Sequence, residues 1–303
     1  MIKAKDYWQH LERNCKPKRP VFTHAFARGE SLDTDTFAEI RRVAFELFAR
    51  SLDPANPIAS RTKAGQDEIY GKLNATKSFT LIKNPDLLTE LDFHLAQMMR
   101  ERGLLEGMEG FEFPANVRCV HPRPPQGYTD GAYATDHRHC DPWVGAPPDL
   151  INCFLYIHCS KETSMLELYD VTTESREEVS KFKGAYRDGA HLVHDLKPIA
   201  HEPTSGDFLM FDAFVPHQTI RRGGDVRLSV DFRVRAKDPY LYLEKKPEEG
   251  FLGEDRFCDA YWYANSGSAH KFTERWSQES ERLALAQNNK ALEIRKSTFE
   301  RLK

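Results

Sequence analysis

Between Val226 and Arg235 the chain alternates without a break: Val226, Leu228, Val230, Phe232 and Val234 are apolar, while Arg227, Ser229, Asp231, Arg233 and Arg235 are polar. Residues two apart share a face of a strand, so one face of this segment is built for a core and the other carries charge. Arginine is costly to bury without a partner. A strand of this kind is accommodated when its charged face lines a ligand site inside a barrel or sandwich.

The surrounding sequence agrees. From Ala115 to Ala236 short period-two runs are separated by Gly and Pro turns, and strands are expected at 115–120, 133–137, 150–158, 165–171, 191–195, 207–214 and 226–235. Many short strands favour a jelly roll over a parallel sheet. Ahead of them, Phe37, Ile40, Val43, Ala44, Leu47 and Phe48 recur at helical spacing within 34–52, and Leu88, Leu91, Leu95, Met98 and Met99 do so within 85–104. The expected architecture is mainly β with a helical jacket. Residues 1–303 are read as one domain, in which 1–110 form a mostly helical cover, 115–236 the core, and 270–303 a C-terminal helical segment.

Composition narrows the partners. With 43 Lys+Arg against 46 Asp+Glu the formal net charge is only -3, which gives no footing for nucleic acid. No run of eighteen apolar residues occurs, and the N-terminus lacks an apolar signal core, so neither membrane spanning nor secretion is expected. The six cysteines show no C-x-x-C pairing and read as reduced thiols in a cytoplasm. A small-molecule partner is expected.

The chemistry concentrates in Asp136-His137-Arg138-His139-Cys140-Asp141-Pro142-Trp143. At a strand end His139 and Asp141 can point the same way, and a further imidazole would complete a site of two histidines and one carboxylate with open positions, the donor set of non-haem Fe(II) oxygenases. His217 follows the apolar run Phe208 to Val215 and a proline, again at a strand end. The spacing alone is weak, since His10-Leu11-Glu12 shares it in a polar, helical-looking segment where residues two apart diverge. Ten residues after His217 stands Arg227, with Ser229 two further on. Their face of the strand suits a carboxylate ligand held by a guanidinium fork and a hydroxyl, against the simpler reading of a salt bridge to Asp225 or Asp231.

Taken in order, His139-x-Asp141, His217, Arg227 and Ser229 resemble the Fe(II)/2-oxoglutarate-dependent dioxygenases of the double-stranded β-helix (jelly-roll, cupin-like) fold. The resemblance implies Fe(II) held by His139, Asp141 and His217, 2-oxoglutarate as cosubstrate gripped by Arg227 and Ser229, and O2 as oxidant. The run from His139 through Trp143, Gly145 and Pro147 to Asn152 is similar to the phytanoyl-CoA-dioxygenase-like branch, including oxygenases of carbohydrate and antibiotic biosynthesis such as streptomycin-cluster and Kdo-hydroxylase-like proteins. Leu150 departs from that pattern, where a glutamine two residues before Asn152 would be expected. An aspartate ligand, in place of a glycine or alanine that would admit a halide, implies hydroxylation of an unactivated C–H bond.

Other polar residues are candidates for the pocket. Asn152 and Arg118 are expected to contact the cosubstrate, although Asn152 reads equally well as a core amide and Arg118 as an outward strand residue. His137, Arg138 and Trp143 are candidates for substrate contact, Trp143 as a flat wall for a sugar ring. The arginines suit an acidic sugar such as Kdo, whereas an aminoglycoside or amino acid would call on Asp136, Glu167 or Asp231. Peripheral membrane contact is expected only for a lipid-linked substrate. Two alternatives stand beside this reading. One is a cupin-type dioxygenase using His137, His139 and His217 without 2-oxoglutarate, and the other is a carbohydrate-binding jelly roll with no catalysis.

Overall fold

The computed structural model describes residues 21–23, 26–28, 34–102, 104, 108–111, 114–124, 127–128, 131, 134–144, 150–169, 185–199, 202–213 and 215–236. The decoy His10-x-Glu12 and the expected helical segment at 270–303 lie outside them.

Three helices come first, after two short strands, β1 (Val21–Thr23) and β2 (Phe26–Arg28). Helix α1 (Thr34–Leu52) buries Ile40, Val43, Phe45, Leu47 and Phe48 completely, each such side chain contributing roughly 1.5–3 kcal/mol. Helix α2 (Lys63–Ala75) starts at Thr62, whose hydroxyl accepts from the backbone N–H of Gly65. Helix α3 (Pro85–Glu101) is capped by Asn84 in the same way, with proline in its first turn.

The strands that follow are β3 (Met108–Phe111), β4 (Asn116–Val120), β5 (Leu150–His158), β6 (Met165–Leu168), β7 (Phe208–Asp212), β8 (His217–Ile220) and β9 (Arg227–Ala236). Among the described residues they make one seven-stranded sheet in the order β1-β2-β7-β5-β9-β3, with β4 also paired to β9, and a second sheet of β6 and β8. All these pairings are antiparallel.

Period two divides the large sheet into two faces. Ile151, Cys153, Leu155 and Ile157 of β5 and Leu228, Val230, Phe232 and Val234 of β9 form a single core with the three helices. Phe154 and Tyr156 of β5 turn the other way and pack with Leu209, Phe211, Leu166 and Leu168, the last two from the small sheet. One face is thus jacketed by helices and the other faces the site. The jacket also sets the height of β9: the Tyr70 hydroxyl donates to Val226 O at 2.9 Å, and Asn74 Oδ1 accepts from Val226 N at 2.8 Å. Both backbone groups immediately before Arg227 are therefore held by α2.

Three differences from the sequence reading have physical causes. The region before residue 110 holds three helices but also supplies β1, β2 and β3 to the large sheet, since strands of three or four residues are too short to show alternation. The strand expected at 133–137 is broken by a turn in which His137 N donates to Ala134 O, although Thr135 and His139 still pair with Thr219 and His217. The strand expected at 191–195 is a 3-10 turn, Ala190–Val193, preceded by the short helix α4 (Tyr186–Gly189); five residues do not separate a strand from a helical turn by periodicity.

Candidate active site

The two histidines are brought together by the backbone. His139 and His217 form an isolated antiparallel bridge in which each N–H donates to the other's carbonyl, at 2.9 and 2.8 Å, so their side chains leave from the same side. The chain then enters the 3-10 turn Asp141–Val144, which carries the Asp141 carboxylate back toward both imidazoles. Asp141 Oδ1 lies 4.0 Å from His139 Nε2 and 3.8 Å from His217 Nε2. Donor atoms each about 2.1 Å from one ion lie about 3.0 Å apart when adjacent and about 4.2 Å when opposed, so side-chain shifts of under about 1 Å would bring these three atoms onto one metal. All three residues are buried, at 2%, 4% and 7% exposure.

The free lone pairs point the right way. His139 Nδ1 donates to the carbonyl of His137 at 2.7 Å and His217 Nδ1 to that of Val215 at 2.9 Å, which leaves each Nε2 as the unprotonated nitrogen. Burial, with His217 beside it, pushes His139 down to about 3, and burial pushes His217 down as well, so both rings are neutral and their Nε2 lone pairs are available to a metal. Burial alone would raise the Asp141 pKa, but Arg233 and the two histidines hold the carboxyl well below the usual range. Arg233 Nη2 donates to Asp141 Oδ2 at 3.3 Å, leaving Oδ1 toward the histidines. Tyr186 stacks on His139 with ring centres 3.8 Å apart, and its hydroxyl donates to Asp141 Oδ1 at 3.4 Å.

A cavity of about 390 Å³ opens onto this group, lined among others by His139, Asp141, His217, Asn152, Phe154, Leu166, Phe211, Arg227 and Arg233. That volume lies within the range of small-molecule sites, roughly 300–1,000 Å³. Arg227 is only 2% exposed, yet its Nε and Nη1 have no hydrogen-bond partner among the described residues, and neither does Ser229 Oγ, which is fully buried. Burial lowers the Arg227 pKa, and the guanidinium rests over the Phe154 ring at 5.1 Å. The salt bridge to Asp231 that would have made Arg227 structural is taken by another residue: Asp231 is bound through Nε and Nη2 of Arg118, the latter at 3.0 Å, and by Asn116 at 3.3 Å. A buried guanidinium left unpaired in the same cavity as a two-histidine, one-carboxylate cluster fits a dianion that reaches a metal there, with the unpaired Ser229 hydroxyl two residues along the same strand face.

The other candidates separate. Asn152 lines the cavity, with its buried amide nitrogen left without a hydrogen-bond partner among the described residues. Arg118 is at the cavity wall with its fork occupied by Asp231. The proposed substrate contacts of Trp143, Arg138 and His137 are not supported: none lines the cavity. Trp143 is fully buried with Cys140 and Val193 beneath the turn that carries Asp141. Arg138 turns away to the carbonyls of Val193 and His194 and covers the Tyr169 ring. His137 contributes its carbonyl to His139, and its ring is not among the converging metal-ligand atoms, as a three-histidine centre would require. Residues not singled out from the sequence are Tyr186, Lys77, Arg123, Tyr128, Thr135 and Thr219, whose only common signal is their place in the folded chain. Arg233 was marked only by its position on the polar face of the last strand.

No protein-family model matches the chain, and no curated protein matches it in sequence. Among solved structures it is similar to the non-heme alpha ketoglutarate dependent epimerase SnoN from nogalamycin biosynthesis, with 14% identity over 75% of this chain and 83% of that one and a TM-score of 0.41. It is also similar to AviO1 from Streptomyces viridochromogenes Tue57, with 15% identity over 75% and 95% of the two chains and a TM-score of 0.44. A third is a Pseudomonas putida prolyl-4-hydroxylase, with 17% identity over 71% and 95% and a TM-score of 0.35. Overlaps at this level carry none of the chemistry, which rests on the side chains.

Proposed function

We propose that the protein is an Fe(II)- and 2-oxoglutarate-dependent oxygenase on a double-stranded β-helix, hydroxylating an unactivated C–H bond of a polar small molecule of the sugar, sugar-acid or antibiotic-precursor type. The observation that carries this reading is the pairing, in one cavity, of the His139, Asp141 and His217 cluster with the buried, unpaired Arg227, whose neighbour on the same face of β9, Ser229, is also left without a partner. His139, Asp141 and His217 would hold the iron, and Arg227 with Ser229 would take the distal carboxylate of the oxo acid. The iron, oxo acid and O2 together supply the oxidising power for C–H cleavage. The chain's own work is to position and to exclude water. Arg233 keeps one oxygen of Asp141 engaged so that the other faces the imidazoles. Phe154, Leu166 and Phe211 make the inner walls apolar, and the hydroxyls of Tyr128, Thr135 and Thr219 line the same cavity as partners for a hydroxylated substrate. Arg118 keeps Asp231 neutralised on the cosubstrate's side of the strand, where a bare carboxylate would repel a dianion.

A cytoplasmic setting is part of this reading, supported by the lack of C-x-x-C pairing among the six cysteines of the sequence. No helix among the described residues is long and apolar enough to cross a membrane. The test is an anaerobic titration of metal-free protein with Fe(II) and then 2-oxoglutarate, following the weak visible metal-to-ligand charge-transfer band. Its appearance in wild type and loss in His139→Ala are expected. Bound iron without the band would point to a centre that does not use 2-oxoglutarate, and no iron binding to a ligand-binding jelly roll.

A further inference from the structure

The cationic and anionic side chains around the cavity do not balance. Its lining includes Lys77, Arg118, Arg123, Arg221, Arg227 and Arg233 but only Asp141 and Asp231, in a chain whose overall formal charge is -3. Most of these cations are accounted for. Arg118 is paired with Asp231, Arg233 with Asp141 at 3.3 Å, and Arg221 with Asp136 at 2.8 Å just behind the wall. Arg227 is the buried group assigned above to the oxo acid. Lys77 and Arg123 remain, both exposed and neither with an ion-pair partner among the described residues. They come from different parts of the chain, Lys77 from the connection between α2 and α3 and Arg123 from the segment beyond β4.

Loading the centre does not remove this surplus. A divalent metal and a dianionic cosubstrate would cancel each other, so the two exposed cations on the lining would stay unneutralised. His121, on the same wall, is pushed down by burial and by Arg221 and adds no charge at neutral pH. Phe79 and Leu81 are the apolar side chains near Lys77 in sequence that share the lining.

We propose that Lys77 and Arg123 form an anion subsite in the outer part of the cavity, where they take a carboxylate or phosphate group of the primary substrate while its reacting carbon lies toward His139, Asp141 and His217. The proposal rests on the oxygenase reading of the inner part. Because both cations are exposed, their pull is moderate and salt-sensitive.

The test uses the full chain loaded anaerobically with Fe(II) and 2-oxoglutarate, titrated by calorimetry with methyl phosphate and, separately, acetate, at low and high ionic strength. Saturable binding to wild type is expected, weakened on the order of tenfold in the double variant Lys77→Gln/Arg123→Gln, with the 2-oxoglutarate requirement of the visible band unchanged. Tighter binding of methyl phosphate identifies a phosphate, and equal binding a carboxylate. A normal band with no saturable anion binding, or with equal affinity in the double variant, overturns the subsite alone. Failure of the band to form in wild type sinks the oxygenase reading, and the subsite with it.

Discussion

At the scale of single residues, the site is defined by what is left unpaired. Arg227 is buried without a carboxylate, so Arg227→Met should raise the 2-oxoglutarate concentration needed for half-development of the band by roughly ten- to a hundredfold, the loss of a charge-assisted pair of about 1.5–3 kcal/mol. The same variant should melt no lower than wild type when metal and oxo acid are absent, because it removes a desolvated charge that nothing compensates. A large drop in melting temperature would show instead that Arg227 is structural. Arg233→Gln removes the partner of Asp141 Oδ2 and should weaken Fe(II) affinity by roughly 10–100-fold, as loss of an outer partner of a metal ligand usually does. Direct iron titration at saturating 2-oxoglutarate reads this, and Arg233→Lys should recover part of it. His137→Ala should bind iron as wild type does, since only the backbone carbonyl of His137 is used. The convergence of His139, Asp141 and His217 and the burial of Arg227 are legible in the sequence because spacing and strand ends expose them. Arg233, Tyr186, Lys77 and Arg123 carried no such mark, as their roles depend on which segments the topology brings to one cavity.

At the scale of elements, the long pieces could be read and the short ones could not. Helix α1 has the bounds that its apolar stripe predicts, and β9 keeps the alternation that separates core from site. Helix α2 leaves little trace in the sequence, because it buries only Gly65, Ile69 and Leu73, a stripe too narrow to register, and Gly71 interrupts it as well. The turn bearing Asp141 depends on a close approach that no pattern announces: a Cβ on Gly189 would stand 2.3 Å from the Trp143 ring. Gly189→Ala should therefore displace Trp143 and cost about 1–3 kcal/mol by overpacking. A fall in melting temperature, a shifted tryptophan emission and weaker iron binding should appear together. Unchanged emission and iron affinity would mean that the turn does not lean on this contact.

At the scale of the whole molecule, protonation acts in one direction. His94, His121, His139, His158 and His217 all have pKa values lowered, with burial the leading cause in each. Imidazoles that bind protons less readily folded than at their unfolded value near 6.5 make the unfolded state the better proton acceptor below that pH, so stability falls as pH falls. Asp141 and Asp231, lowered by their arginine and histidine neighbours against the effect of burial, extend the same trend into the carboxylate range. The metal-free protein should thus begin to lose stability below about pH 6.5, well before carboxylates titrate. Thermal melts at pH 8, 6.5 and 5 measure this, and His158→Gln, which removes the ring packed 3.9 Å from Tyr70, should flatten part of the slope. Identical melting temperatures at pH 8 and 5 would contradict it. The rings of His139 and His217 have a further property. Each is oriented by a carbonyl two positions earlier in its own chain segment, and a carbonyl belongs to every residue type. The orientation of the two proposed iron ligands is therefore insulated from side-chain substitution at 137 and 215, and the cavity walls can change while the cluster of His139, Asp141 and His217 stays in place.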